Sequence, residues 1–140
     1  MSRVAAAAAA LLLGCSNGLG PAPEGKQFSI IDIGTSMPQD FLATPGTVSA
    51  GGVIINYNSF GSSSCNIPAG ESVAMSAGMA TITAYDRYVP PEAVCTADMG
   101  RYQRSVTLTL APGTVELRLR GIRLLGGNEV GDLRRTVLVK

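Results

Sequence analysis

The sequence predicts an all-β domain, an antiparallel sandwich of about seven to nine short strands preceded by an N-terminal signal helix. Three observations lead there. Apolar residues alternate with polar ones over short β-branched runs, which is the period of a half-buried strand. Gly and Pro together occupy 25 of 140 positions, above the roughly 12% of ordinary domains, so turns are frequent. Beyond residue 15 no convincing apolar stripe recurs at helical spacing. The length suits one domain and excludes two catalytic ones. A net charge of +1 removes the broad basic field that nucleic-acid binding requires. With no His in the chain, His-based metal sites and His-dependent triads are excluded as well.

The elements follow in chain order. Residues 1–14 read as a signal peptide: Met1-Ser2-Arg3 is a short positive head, and Val4 to Leu13 is an unbroken apolar run with no polar face, too short for a membrane span and right for export. Leu12-Leu13-Gly14-Cys15 resembles the lipobox of bacterial lipoproteins. That resemblance implies cleavage before Cys15, acylation of its thiol and a membrane anchor. Ser16 follows where an Asp commonly retains such proteins in the inner membrane, so the implied destination is the outer membrane of the bacterial envelope. Several acyl chains would anchor stably, since each buried methylene contributes about 0.8 kcal/mol. Residues 15–27 are then the lipidated Cys and a flexible tether, rich in Gly and Pro, that holds the domain on the order of 20 Å from the membrane.

If Cys15 carries lipid, only Cys65 and Cys95 remain to pair, in an oxidising compartment. Their bridge is expected to stabilise the fold by roughly 3 to 4 kcal/mol. The alternatives are free thiols, or a redox pair or thiolate metal site, for which both a Cys-x-x-Cys and a His are lacking.

The β-domain spans 28–140. Strands are expected at 28–33, 53–57, 71–75 and 79–85, with a hairpin turn at Ser76-Ala77-Gly78. The clearest expectation is a hairpin about Pro112-Gly113. Val106, Leu108 and Leu110 alternate with Thr107 and Thr109 on one side of it, and Val115, Leu117 and Leu119 with Glu116, Arg118 and Arg120 on the other. A bend at Gly121, a strand at 122–125, a loop at 126–132 and a last strand at 136–139 complete the chain. The string from Val106 to Arg120 resembles the late hairpin of bacterial surface domains with immunoglobulin-like or prealbumin-like sandwiches. That resemblance implies an immunoglobulin-like β-sandwich that binds, spaces or reinforces other molecules, and it brings no catalytic residue.

Candidate chemistry is thin. Ser62, Ser63 and Ser64 have no activating base. The carboxylates Asp32, Asp40, Asp86, Glu92 and Asp98 show no diagnostic pair spacing. The run from Asn128 to Asp132 is a sparse calcium loop, and Met75 with Met79 is a sparse soft-metal pair. No catalytic residue, metal site or cofactor is therefore expected, and the chain reads as a non-enzyme. Tyr85, Arg87, Tyr88 and Tyr102 lie along a long segment fastened by Cys95, and Tyr with Arg is the pairing enriched at binding hot spots; the same tyrosines could instead cap the core. Charge is uneven: residues 15–100 hold two basic and seven acidic side chains, residues 101–140 eight and three. Arg118 and Arg120 share an outward strand face, with Arg123 nearby, that suits an anionic glycan or lipid headgroup, or simply protects an edge. The functional expectation is a membrane-anchored envelope lipoprotein acting as a non-enzymatic binding or assembly module. Its partners would be the membrane, through lipid on Cys15, and an envelope protein or glycan, with no nucleic acid. The alternative is a periplasmic ligand carrier for a metal ion or glycan.

Overall fold

The computed structural model describes residues 18–34 and 37–140; the signal peptide and Cys15 lie outside them. Among the described residues nine strands form, β1 (Lys26–Phe28), β2 (Ile30–Asp32), β3 (Thr47–Val48), β4 (Gly51–Gly61), β5 (Pro68–Ser76), β6 (Met79–Arg87), β7 (Gly100–Leu110), β8 (Gly113–Arg123) and β9 (Glu129–Val139), with one 3-10 turn at Asp40–Ala43. The chain is all-β, as its alternation predicts. It is not an antiparallel two-sheet sandwich: all nine strands belong to one sheet, curled into a half-barrel. Three of the pairings, β2 with β8, β3 with β9 and β6 with β8, are parallel.

The expected hairpin between β7 and β8 does not form. β7 pairs with β4 along its whole length, and β8 pairs with β9 along its whole length. The loop chemistry explains this. A tight two-residue turn relies on a residue that takes positive φ, usually Gly; between β7 and β8 stand Ala111 and Pro112, neither of which does, and Pro is fixed near −65°. The chain crosses the core instead. Leu108 and Leu110 then face Val115, Leu117 and Leu119 within one buried cluster, so the alternation is satisfied by stacking across the core rather than by pairing. The β5–β6 hairpin does form, with Ser76 opposite Met79 and Gly78 supplying the positive φ its turn requires.

At the centre of the sheet β6 and β8 pair at one end only, over Met79–Thr83 and Glu116–Arg120. Beyond that point the β1–β2 segment is wedged between them. The Ser29 N–H donates to the Ala84 carbonyl at 2.9 Å, and the Ser29 carbonyl accepts from the Ile122 N–H at 2.8 Å. Gly121 is not a bend. It lies within β8, opposite Gly131 of β9, and a Cβ there would sit 2.4 Å from the Ser29 carbonyl oxygen. The strands also outrun their expected bounds: β9 begins at Glu129 and β7 at Gly100, so Tyr102 lies in a strand, and β1 takes Lys26 and Gln27 from the expected tether. Ile31, Phe41, Ile55, Tyr57, Ile82, Leu117 and Leu119 are wholly buried and make the core between the curled walls. Cys65 and Cys95 are joined by a disulfide, with Cα atoms 5.5 Å apart.

Candidate functional site

At one end of the half-barrel an open cleft of about 700 Å³ lies between residues 37–43 and residues 123–133, where β8 ends and β9 begins. Its near wall is positioned by Gln39. The Gln39 amide donates to the carbonyls of Ile31 and Asn58, both at 2.8 Å, and its oxygen accepts the Asn58 N–H at 2.6 Å. One side chain thus staples the 3-10 turn to β2 and β4. Within the turn Phe41 is wholly buried while Leu42 is 48% exposed, because adjacent residues of so short a turn cannot both face the core. Ile31 and Leu133 line the cleft with Met37, Leu42, Leu125 and Arg123. Leu125 is 46% exposed.

The polar feature of this cleft is an ion pair. Arg123 Nε donates to Asp32 Oδ2 at 2.9 Å, and the Gly34 N–H donates to Asp32 Oδ1 at 3.0 Å. Both carboxylate oxygens are engaged. The terminal nitrogens of Arg123 have no hydrogen-bond partner among the described residues, and its side chain is 39% exposed against 18% for Asp32. The arrangement is an aliphatic cleft with one charged donor at its rim, which is the composition of a binding site.

A second polar cluster is structural. Asp86 is fully buried; it accepts from Ser29 Oγ at 2.6 Å and lies 3.7 Å from Arg104 Nη1. Burial pushes its carboxyl above the usual range, and the bonds from Ser29 and Asn66 and the Arg104 charge only partly offset this. Arg104 lies over the Tyr57 ring, 5.1 Å from its centroid, and also meets Glu71 at 3.4 Å and the Gly70 carbonyl. Tyr57 Oη donates to Glu71 at 2.8 Å. Burial raises the Tyr57 phenol well above its ordinary value. These contacts tie the β1–β2 junction, β4, β5, β6 and β7 together.

The residues expected to bind a partner are dispersed. Tyr85 is 8% exposed; its ring is 5.6 Å from that of Phe28 and its hydroxyl 3.1 Å from that of Ser72. Arg87 donates to the Ser64 carbonyl at 3.2 Å, and Tyr88 is half exposed. On β6 Tyr85 alternates with Asp86, which faces Arg104, whereas Tyr102 shares a face of β7 with Arg104. Tyr85 and Tyr102 therefore lie on opposite sides of the sheet. Arg118 and Arg120 share a face of β8, where Arg118 is bound to Asp132 and Arg120 to the Gly18 carbonyl. Arg118 also donates to the Met79 sulfur at 3.7 Å. Ser62, Ser63 and Ser64 cluster on Thr96 within 3.2 Å, beside the disulfide. Asp98 takes the Ser63 N–H at 3.1 Å, and hydrogen bonds from Thr96 and Ser63 hold its carboxyl below the usual range.

The cleft itself went unread in the sequence. Its local signal was the stretch Met37-Pro38-Gln39-Asp40-Phe41-Leu42, apolar at both ends yet without strand alternation; Leu124 and Leu125, expected in a strand, lie beyond the end of β8 at Arg123. Compared with known proteins, the chain matches no family model, no curated protein and no solved structure.

Proposed function

We propose that the protein is a lipoprotein of the bacterial envelope, held in the outer membrane by acyl chains on Cys15, and that its β-domain binds a ligand without chemistry. The observation that carries the binding part is the cleft. Leu42 and Leu125 stand about half exposed at its rim, forgoing burial worth roughly 25 cal/mol for each Å² of apolar surface, and an apolar occupant recovers that energy. Support for the anchor is the Leu12-Leu13-Gly14-Cys15 string, with Cys15 the one cysteine outside the Cys65–Cys95 bridge. The bridge also suits an exported chain. Between an assembly module and a ligand carrier, the concave site favours the carrier, and its aliphatic walls favour an apolar ligand over a metal ion or glycan.

Two measurements test this on the full-length protein in bacterial membranes. Intact mass is expected to show a chain beginning at an acylated Cys15, and Cys15→Ser is expected to leave the membrane fraction; membrane retention of that variant refutes the anchor. A diazirine-bearing twelve-carbon alcohol is expected to crosslink to peptides 37–43 and 123–133. Ala43→Trp, which fills the cleft, should block that labelling, and unchanged labelling in the folded variant refutes the site.

A further inference from the structure

Resting on the reading of the cleft as a binding site, we propose that its ligand is a single-chain amphiphile with an anionic head, the chain lying among Met37, Leu42, Leu125 and Leu133 over the buried Ile31, and the head on the guanidinium of Arg123. The walls select the chain. Among the described residues no aromatic ring lines the cleft, so they offer no platform on which a planar ring or the face of a sugar could stack. A volume of about 700 Å³ lies within the ~300 to 1,000 Å³ of small-molecule sites.

The ion pair selects the head. Asp32 already accepts the Gly34 N–H on one oxygen and Arg123 Nε on the other. Arg123 spends only Nε on that contact, so its two terminal nitrogens remain to donate, and it is the more exposed partner of the pair. A cationic head would meet the guanidinium first and be repelled. An uncharged head would accept from the guanidinium but bring no opposite charge, whereas an anionic head adds the attraction of an ion pair and can take both terminal nitrogens at once. Asp32 holds the guanidinium in place through Nε, leaving the flat outer edge of the fork for a carboxylate or phosphate, the groups its geometry fits bidentately. Both head groups share this chemistry: a free fatty acid supplies the first and a lipid phosphomonoester the second.

The test uses the full-length lipoprotein reconstituted in vesicles of zwitterionic lipid, photolabelled with three diazirine probes of the same twelve-carbon chain ending in alcohol, carboxylate or phosphate monoester. Peptide mass spectrometry locates the label. The carboxylate, the phosphate or both are expected to label peptides 37–43 and 123–133 at least tenfold more efficiently than the alcohol, and the stronger of the two identifies the source. Arg123→Gln should bring anionic labelling down to the level of the alcohol without changing the alcohol's own labelling, and Arg123→Lys should restore part of the preference. Equal labelling by all three probes, or an anionic preference that survives Arg123→Gln, overturns the head-group assignment while leaving the cleft as an apolar site. Labelling by none of them within the cleft overturns the binding reading itself.

Discussion

Replacing Gly121 by Ala places a carbon 2.4 Å from the Ser29 carbonyl oxygen, 2.9 Å from Ile31 Cγ2 and 3.2 Å from Ile31 Cγ1. The first contact cannot be relieved by a rotamer change, because the obstructing atom is backbone. To make room β2 must move away from β8, which breaks the 2.8 Å bond from the Ile122 N–H to Ser29. Overpacking and the lost hydrogen bond together cost about 2 to 4 kcal/mol, a large share of the stability of a domain this size and a fall in Tm on the order of 10 °C. Two other glycines grade the argument. At Gly131 a Cβ would meet only the Ile31 side chain, at 3.0 and 3.1 Å, and the Arg123 N at 3.3 Å, so Gly131→Ala should cost about 1 kcal/mol. At Gly52 it would meet Thr107 Cγ2 at an ordinary 3.6 Å, so Gly52→Ala should be neutral or stabilising by up to about 1 kcal/mol. Urea denaturation of the three variants measures the order. Because β2 carries Ile31 and Asp32, Gly121→Ala should also weaken labelling of the cleft. If Gly121→Ala unfolds within about 0.5 kcal/mol of wild type, the wedge of β1–β2 between β6 and β8 is wrong.

Four further outcomes follow from the packing and charges. Converting Cys65 and Cys95 together to Ala should lower stability by about 3 to 4 kcal/mol, read from denaturant midpoints. Leu117→Ala should cost about 2 to 5 kcal/mol in the same assay, against less than about 1 kcal/mol for Leu138→Ala, whose side chain is 43% exposed. Asp86 has a folded pKa raised by burial; the stability its protonation contributes is complete below the ordinary carboxylate value and lost as pH rises through the raised one. Asp86→Asn should therefore be the more stable protein at neutral pH, with the advantage shrinking on acidification, and a variant less stable at every pH would show that the Arg104 pair outweighs burial. Asp132 has the opposite sign: the Arg118 bond holds its pKa down, so its contribution is present at neutral pH and lost on acidification. Being a quarter exposed, it should cost at most about 1 kcal/mol in an Asp132→Asn titration of stability against pH.

Where most strands lie was legible, β3 and the start of β7 excepted; whom they pair with was not. The runs 79–85 and 115–119 alternate with period two and fall inside β6 and β8. Yet Val106, Leu108 and Leu110 would present the same apolar face whether β7 paired edge to edge with β8 or stacked on it across the core. The deciding residues were Ala111 and Pro112, which cannot make the tight turn. Gly121 was ambiguous in the same way. A lone glycine in a strand marks either a bend or a close approach of another backbone, and only the position of Ser29 distinguishes them. The cleft was less legible still, because it joins residue 31 to residues 42, 123 and 133 through contacts with no common local pattern. Tyr85 and Tyr102 read as one surface because they flank one segment, but strand parity sends them to opposite faces.

By itself the sequence determined the β class, the exposed and buried sides of β6, β7 and β8, and the β5–β6 hairpin. These are local properties: side-chain volume, period and turn chemistry act over a few residues. Only the tertiary structure decided the single curled sheet, its parallel pairings, the β1–β2 wedge and the cleft with Arg123 at its rim. Backbone donors and acceptors are chemically the same at every non-proline residue, so partner choice among strands is set by which arrangement buries the most apolar surface without clash. That quantity belongs to the whole chain and is carried by no segment of it.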